Sequence, residues 1–350
     1  MRDARWQSSH SVPAMTLLQT TYDNLVLSLR YLALLLLGVA ASSASAEEAV
    51  RYSVIAEKAI HSILLDVARA GDRMVAVGDR GHILYSDDSG ANWTQAKVPT
   101  QQMLTATSFP TPKVGWAVGH DAVILKTVDG GETWVKQYDD PDAEVPFLDV
   151  WFKDDLNGFA IGAYGYFLRT EDGGTTWDEW KENIDNVEEL HLNAMIALGD
   201  GTLLIAGEQG TLYRSTDEGA YFEALESPYD GSFFGAVPSQ KPESALVFGL
   251  RGHLFRTDDT GDSWQQVDSG TEQGLFAGRL LGDGSQVIVG DSGNILISRD
   301  DGNSVSLTSR ANRLLINGIE QAPDGGWILV GQGGAHRVLA GGSDRKPLDN

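Results

Sequence analysis

Short apolar runs separated by glycine- and aspartate-rich turns fill most of this chain. Leu64-Leu65-Asp66-Val67-Ala68, Met74-Val75-Ala76-Val77, His82-Ile83-Leu84-Tyr85 and Trp93-Thr94-Gln95-Ala96-Lys97-Val98 follow one another within 35 residues. Each has strand length and is bounded by turn residues, so the stretch predicts four consecutive strands. After the N-terminal region, no segment carries a long helical period with caps. The pattern then recurs. Copies of the unit begin at Gly78, Gly119, Gly162, Gly207, Gly249, Gly290 and Gly331, in steps of 41, 43, 45, 42, 41 and 41 residues, each but the second opening with a Gly-x-x-Gly turn. Four strands in each period of about 40–50 residues describe a β-propeller blade.

The chain is therefore expected to be all-β, a seven-bladed β-propeller of four-stranded antiparallel blades. The blades fall near 62–98, 104–138, 147–181, 191–226, 233–268, 275–308 and 315–340. The seventh period lacks a fourth strand, and Arg51-Tyr52-Ser53-Val54-Ile55 has no blade of its own. Residues 50–56 are expected to complete the seventh blade and close the ring, which would remove two exposed edges.

Six periods carry a Ser/Thr-x-Asp-x-Gly-x-x-aromatic box between strands three and four. Its members are Ser86, Asp88, Gly90 and Trp93; Thr127, Asp129, Gly131 and Trp134; Thr170, Asp172, Gly174 and Trp177; Ser215, Asp217 and Gly219 with Phe222; Thr257, Asp259, Gly261 and Trp264; and Ser298, Asp300 and Gly302, with Val305 in the aromatic place. The hydroxyl and carboxylate can accept backbone N–H groups across a tight turn, and the glycine allows positive φ. The aromatic is expected to wedge between blades, which makes the Val305 joint the weaker one. Lys126, Arg169, Arg214 and Arg256 stand directly before four boxes and are expected to pair with acids of neighbouring turns.

In such a meander the turns between strands two and three share a face with the blade-to-blade connectors, and the boxes lie on the other. The first face varies between copies, so partner binding is expected there. Arg80, Tyr164, Gln209, Arg251 and Asp291 are its candidate residues. The connectors from Lys136 to Pro146 and from Asp178 to Glu189 make part of this face acidic.

Residues 1–46 read differently. Tyr31 to Ala41 is an apolar run that follows Arg30 and precedes Ser42-Ser43-Ala44-Ser45-Ala46. That order is the signature of a secretory signal peptide, with cleavage expected after Ala46 and the propeller spanning 47–350. The 350 residues carry a formal charge of −23, which argues against nucleic acid as a partner. They contain no cysteine, so disulfides, thiol nucleophiles and thiolate metal sites are excluded.

The boxes, with Val114-Gly115-Trp116-Ala117-Val118-Gly119, Leu156-Asn157-Gly158-Phe159-Ala160-Ile161-Gly162 and Ile124 to Trp134, resemble the aspartate-box (BNR) repeats of the photosystem II stability/assembly factor family. Sialidases and sortilin-type receptors share the box. The resemblance implies a non-catalytic, exported propeller that helps assemble a membrane protein complex. It implies a periplasmic location, or the thylakoid lumen in a photosynthetic organism, with a membrane protein complex or an exporter as partner. A monomer without cofactor or metal is expected.

Catalysis finds little support in the residues. A sialidase needs three clamping arginines, a Tyr–Glu pair and an acid, and the Arg-Ile-Pro stretch expected before the first box is absent. Asp87-Asp88, Asp258-Asp259 and Asp300-Asp301 lack the spacing of a calcium loop. No His-x-x-x-His pair suits zinc, the glycine-rich turns precede strands and not helices, and no Gly-x-Ser-x-Gly elbow is present. A sialidase-type glycoside hydrolase and a carbohydrate- or peptide-binding receptor stay as alternatives.

Overall fold

The computed structural model describes residues 50–342. The leader expected at 1–46 lies outside them. Seven antiparallel sheets follow in chain order, six of four strands and the last of three among the described residues. Blade one runs Leu64–Ala70, Arg73–Gly78, Ile83–Ser86 and Thr94–Gln95. Blade six ends in a longer outer strand, Ser306–Ser309, and blade seven holds Ile316–Gln321, Trp327–Gly331 and Gly334–Val338. The second strand is buried along its length in blades two to seven and from Met74 to Gly78 in blade one, which is why these segments read as continuous apolar runs.

Each joint between blades has its own apolar core. Val75, Ala117, Leu125 and Trp134 join blades one and two. Trp116, Phe152 and Trp177 join two and three, where Trp116 stacks on Phe152 with centroids 3.4 Å apart and Trp177 meets Phe152 edge-on at 5.9 Å. Phe222 fills the joint of three and four, and Trp264 packs into that of four and five. Val305 packs at the joint of five and six, beside Leu246 and Leu296. The box residue of the later blade thus enters the joint with the earlier one.

The ring closes through contacts of the same type. Asn317 Nδ2 donates to Leu64 O at 3.0 Å, as Asn193 Nδ2 does to Phe233 O at 2.7 Å one joint after blade four. Trp93 packs with Val67, Ile328 and Val330 between blades one and seven.

Residues 50–56, expected to complete the seventh blade, run instead along the outside of blade one. Ser53 N donates to Val98 O at 2.8 Å, and Ala56 N donates to Gln95 Oε1 at 2.9 Å. Gln95 Nε2 and Gln101 Nε2 donate to the carbonyls of Val54 and Tyr52, and the Lys97 ammonium lies 4.4 Å from the Tyr52 ring centroid. Gln95 and Gln101 beside blade one thus satisfy backbone groups of this segment. Ala59–His61 then forms a 3₁₀ turn whose Ile60 carbonyl lies over Gly334 at the start of the last strand, covering that joint from one side.

Candidate functional site

The face formed by the strand-two-to-three turns is built on one backbone device. Asp79–His82 is a type I′ turn: Arg80 has φ 56° and ψ 29°, Gly81 has φ 69°, and His82 N donates to Asp79 O at 3.0 Å. Type I′ turns match the twist of two antiparallel strands but require left-handed backbone at both central residues. The same geometry returns at Tyr164, Gln209, Arg251 and Ser292, with φ between 53° and 55°. Blade two reaches it with Asp121 and Ala122.

In blades one, four and five the second central position needs glycine for a reason beyond φ. The connector to the next blade crosses directly over it, so a Cβ on Gly81, Gly210 or Gly252 would stand 2.3, 1.9 or 2.2 Å from the carbonyl oxygen of Thr100, Tyr229 or Thr271. The connectors cover the glycines, and the residue before each projects outward between them. Arg80, Tyr164, Gln209 and Arg251 are all exposed, Tyr164 at 64%. Four of the five expected candidates therefore occupy one repeated outward position. Asp291 sits one residue earlier, equivalent to Asp79, and its Oδ1 accepts from Ser292 N at 2.6 Å; Ser292 is the true counterpart of Arg80.

Side chains around these positions form small clusters. Arg80 Nε lies 3.4 Å from Asp79 Oδ2. Tyr164 meets His191 edge-on at 4.8 Å, and His191 Nδ1 is 3.7 Å from Glu208. His253 stacks on Tyr229 at 4.1 Å. His82 is buried below Arg80, hydrogen-bonded to Ser62 Oγ at 3.0 Å, and burial pulls its imidazole below the ordinary value. The two acidic connectors lie on this face, where Asp140 Oδ1 accepts from Ala143 N and Oδ2 accepts from the Tyr166 hydroxyl.

The boxes occupy the opposite face and are turn-making devices. In the third, Thr170 Oγ1 donates to Asp172 Oδ1 at 3.0 Å and accepts from Gly174 N at 2.8 Å. Asp172 Oδ1 and Oδ2 also accept from Thr176 N and Oγ1 at 2.9 and 2.8 Å. The first box does the same with Asn92, whose amide and side chain hold the Asp88 carboxyl down to about 2. The cations before the boxes reach partners in their own or the next blade. Lys126 Nζ donates to Gly173 O at 2.7 Å, Arg214 bridges Glu223 and Asp262 at 2.7 Å each, Arg256 Nε donates to Asp301 O at 2.9 Å, and Arg169 pairs with Glu171 at 2.6 Å.

A channel of about 580 Å³ runs inside the ring of first strands. Asp66 and Asp149 stand at equivalent places on its wall in blades one and three, where Ala106, Ala194, Gly235, Ala277 and Gly318 stand in the others. Each carboxylate bridges two blades. Asp66 accepts from Val67 N at 2.7 Å and Thr107 N at 2.8 Å, and Asp149 accepts from Val150 N and Met195 N at 2.8 Å. Burial raises Asp66 to about 6 and Asp149 to about 7; Asp66 adds repulsion to Asp149, while the amides oppose both shifts. Arg279 and Glu320 pair on the same wall. Sequence reasoning missed this group, whose one readable signal is an acid at a first-strand position that is otherwise Ala or Gly. Among the described residues no three His, Asp or Glu side chains gather as a metal site, and no helix is long and apolar enough to cross a membrane.

The chain is 26% identical over 257 residues to the photosystem II assembly lipoprotein Ycf48 of Synechococcus sp. (strain CC9902), covering 72% of this chain and 63% of that protein. A 70-residue stretch is 40% identical to the chloroplastic photosystem II stability/assembly factor HCF136 of Cyanidioschyzon merolae (strain NIES-3377 / 10D), covering 19% of this chain and 14% of that protein. The chain thus spans less than two thirds of either relative. A solved structure described as YCF48 bound to D1 peptide superposes with a TM-score of 0.64 at 16% identity, covering 79% of this chain and 91% of that one, a likeness of fold. The model of the family described as photosynthesis system II assembly factor YCF48 matches residues 89–148 and 137–342, and the chain belongs to that family.

Proposed function

We propose that this protein is an exported, non-catalytic scaffold that binds a segment of a membrane protein while its complex is assembled. The single observation that carries this reading is the family match across most of the propeller, joined to a face whose backbone repeats while its outward residues differ. A rigid ring with one variable position per blade suits recognition of an extended chain, since each blade contributes a side chain without moving its backbone. That one matched structure is of YCF48 bound to a D1 peptide supports a peptide from a membrane protein as the class of ligand. Arg80 and Arg251 would meet acidic groups of such a segment, and Tyr164 and Gln209 its apolar and amide groups. The compartment would be the periplasm or the thylakoid lumen, and the working form a monomer.

The test is capture from native membranes with the mature chain as bait, followed by mass spectrometry. Recovery of subunits or assembly intermediates of one membrane complex, lost in the double variant Arg80→Ser, Arg251→Ser, supports the reading. Release of fluorophore from a sialoside by the pure protein, abolished by the same variant, overturns it in favour of a glycosidase.

A further inference from the structure

The seam between blades three and four holds a cleft of about 210 Å³ on the box face, lined by Trp151, Phe159, Ala197 and Leu203 with Lys153, Arg169 and Glu218 at its margin. The seam between blades five and six shows why this one is open. There, Gln240 in the first hairpin of blade five lays its carboxamide 2.2 Å from where a Cβ on Gly284 would stand, filling the space. Gly201 is the counterpart of Gly284, and nothing lies within 4 Å of the same point. Asp154 is the counterpart of Gln240 but is used within its own hairpin. Its Oδ1 accepts from Leu156 N and Asn157 N at 2.8 Å, and Asn157 Nδ2 donates to it at 3.0 Å, so the side chain turns away from the seam.

We propose that this seam is a second binding site, taking one uncharged apolar side chain, aromatic or branched, from a protruding peptide segment of the client. The volume is below the roughly 300–1,000 Å³ of pockets that enclose whole cofactors and suits a single anchor residue. Its walls are firm: Trp151 stacks on Phe159 at 6.4 Å, and the Arg169 guanidinium lies 5.7 Å from the Phe159 centroid and 4.6 Å from that of Trp180. The charges at the margin are matched, Lys153 with Glu218 at 2.9 Å and Arg169 with Glu171 at 2.6 Å. The pairs at the margin are solvent-exposed and cost little to break, so selection rests on the walls: a charged group would lose its water against Trp151, Phe159, Ala197 and Leu203, whereas an apolar one would not. Asn157 and Glu218 of the lining belong to the hairpin of blade three and the box of blade four, and Leu156 and Tyr221, 51% and 48% exposed, lie in the same two turns.

The inference rests on the reading of this chain as a polypeptide binder, but its site is on the face opposite Arg80 and Arg251, so the two can fail separately. The experiment titrates the mature chain with N-acetylphenylalaninamide and follows the indole N–H resonance of Trp151, assigned with Trp151→Phe. A saturable shift with a dissociation constant on the order of 1 mM is expected. Ala197→Phe, which fills the cleft, should weaken it about tenfold, and Leu156→Ser about two- to threefold with the melting temperature unchanged. Arg80→Ser should leave it as it is. Absence of a saturable shift, an equal response to N-acetyllysinamide, or indifference to both Ala197→Phe and Leu156→Ser overturns the proposal. If Ala197→Phe does not fold, Ala197→Leu, which narrows the same cleft by less, decides.

Discussion

The two faces of the ring solve the same problem, reversing a chain between two strands, in opposite ways. On the box face the side chains make the turn: Thr170 and Asp172 supply four of its hydrogen bonds, so the same residue types return in every box. On the other face the backbone makes the turn, through two left-handed residues, the second a glycine except at Ala122 of blade two. The outward residue is then free to be Arg, Tyr, Gln or Ser. Repetition marks architecture where side chains form the turn, and variation marks opportunity where they do not.

Four experiments would break or sharpen that contrast. The largest effect belongs to the wedges attached to the boxes. Trp177→Ala should cost about 3–4 kcal/mol in chemical denaturation and Val305→Ala only about 1; equal losses would remove the wedge from its architectural role. Next is Thr170→Val, which keeps shape but removes the hydroxyl holding Gly174 N, at about 1–3 kcal/mol. No loss would mean that the turn forms without its side chains.

The third concerns pH and sets the channel against the boxes. Asp66 and Asp149 have folded values above the unfolded carboxylate value, so the native ring holds protons that the unfolded chain has released. Their contribution is complete below about 4 and falls as pH rises toward 7. The box aspartates are shifted the other way, Asp88 to about 2, so their contribution is present above about 4 and is lost as pH falls below it. Melting temperature should therefore peak near pH 4–5. Asp66→Asn with Asp149→Asn should flatten the limb between 4 and 7, about 1–2 kcal/mol after allowance for channel water. An unchanged limb contradicts the burial of these carboxyls. The smallest effect is on the variable face: Arg80→Gly relieves a left-handed side chain and should stabilise by about 0.5–1 kcal/mol, while weakening capture of the client. A destabilised variant would mean that Arg80 serves the fold.

Much of this was legible in advance because it repeats. The period gave seven blades of four strands, and the boxes announced both their turns and their wedges at Trp93, Trp134, Trp177, Phe222 and Trp264. What repeats once or not at all was hidden. Arg51 to Ile55 has strand character, but a short alternating segment can pair with any nearby edge, and here Gln95 and Gln101 meet its backbone groups. The outward position was found in four blades and missed by one residue at Asp291, since a Gly-x-x-Gly spacing does not say which middle residue takes positive φ. The channel carboxylates escaped because a lone Asp in a strand looks like any solvent-facing polar residue until seven first strands are brought around one axis.

The seam between the first and last modules is noncovalent and is tied by Asn317 and Ile328, among the final residues of the ring to leave the ribosome. Until they arrive, Val67 and Trp93 face no neighbour, and a nascent stack of six modules carries two sticky ends instead of none. Truncation near the C-terminus should thus produce chains that join to one another end to end, a hazard that an equally apolar protein with a locally completed core would escape.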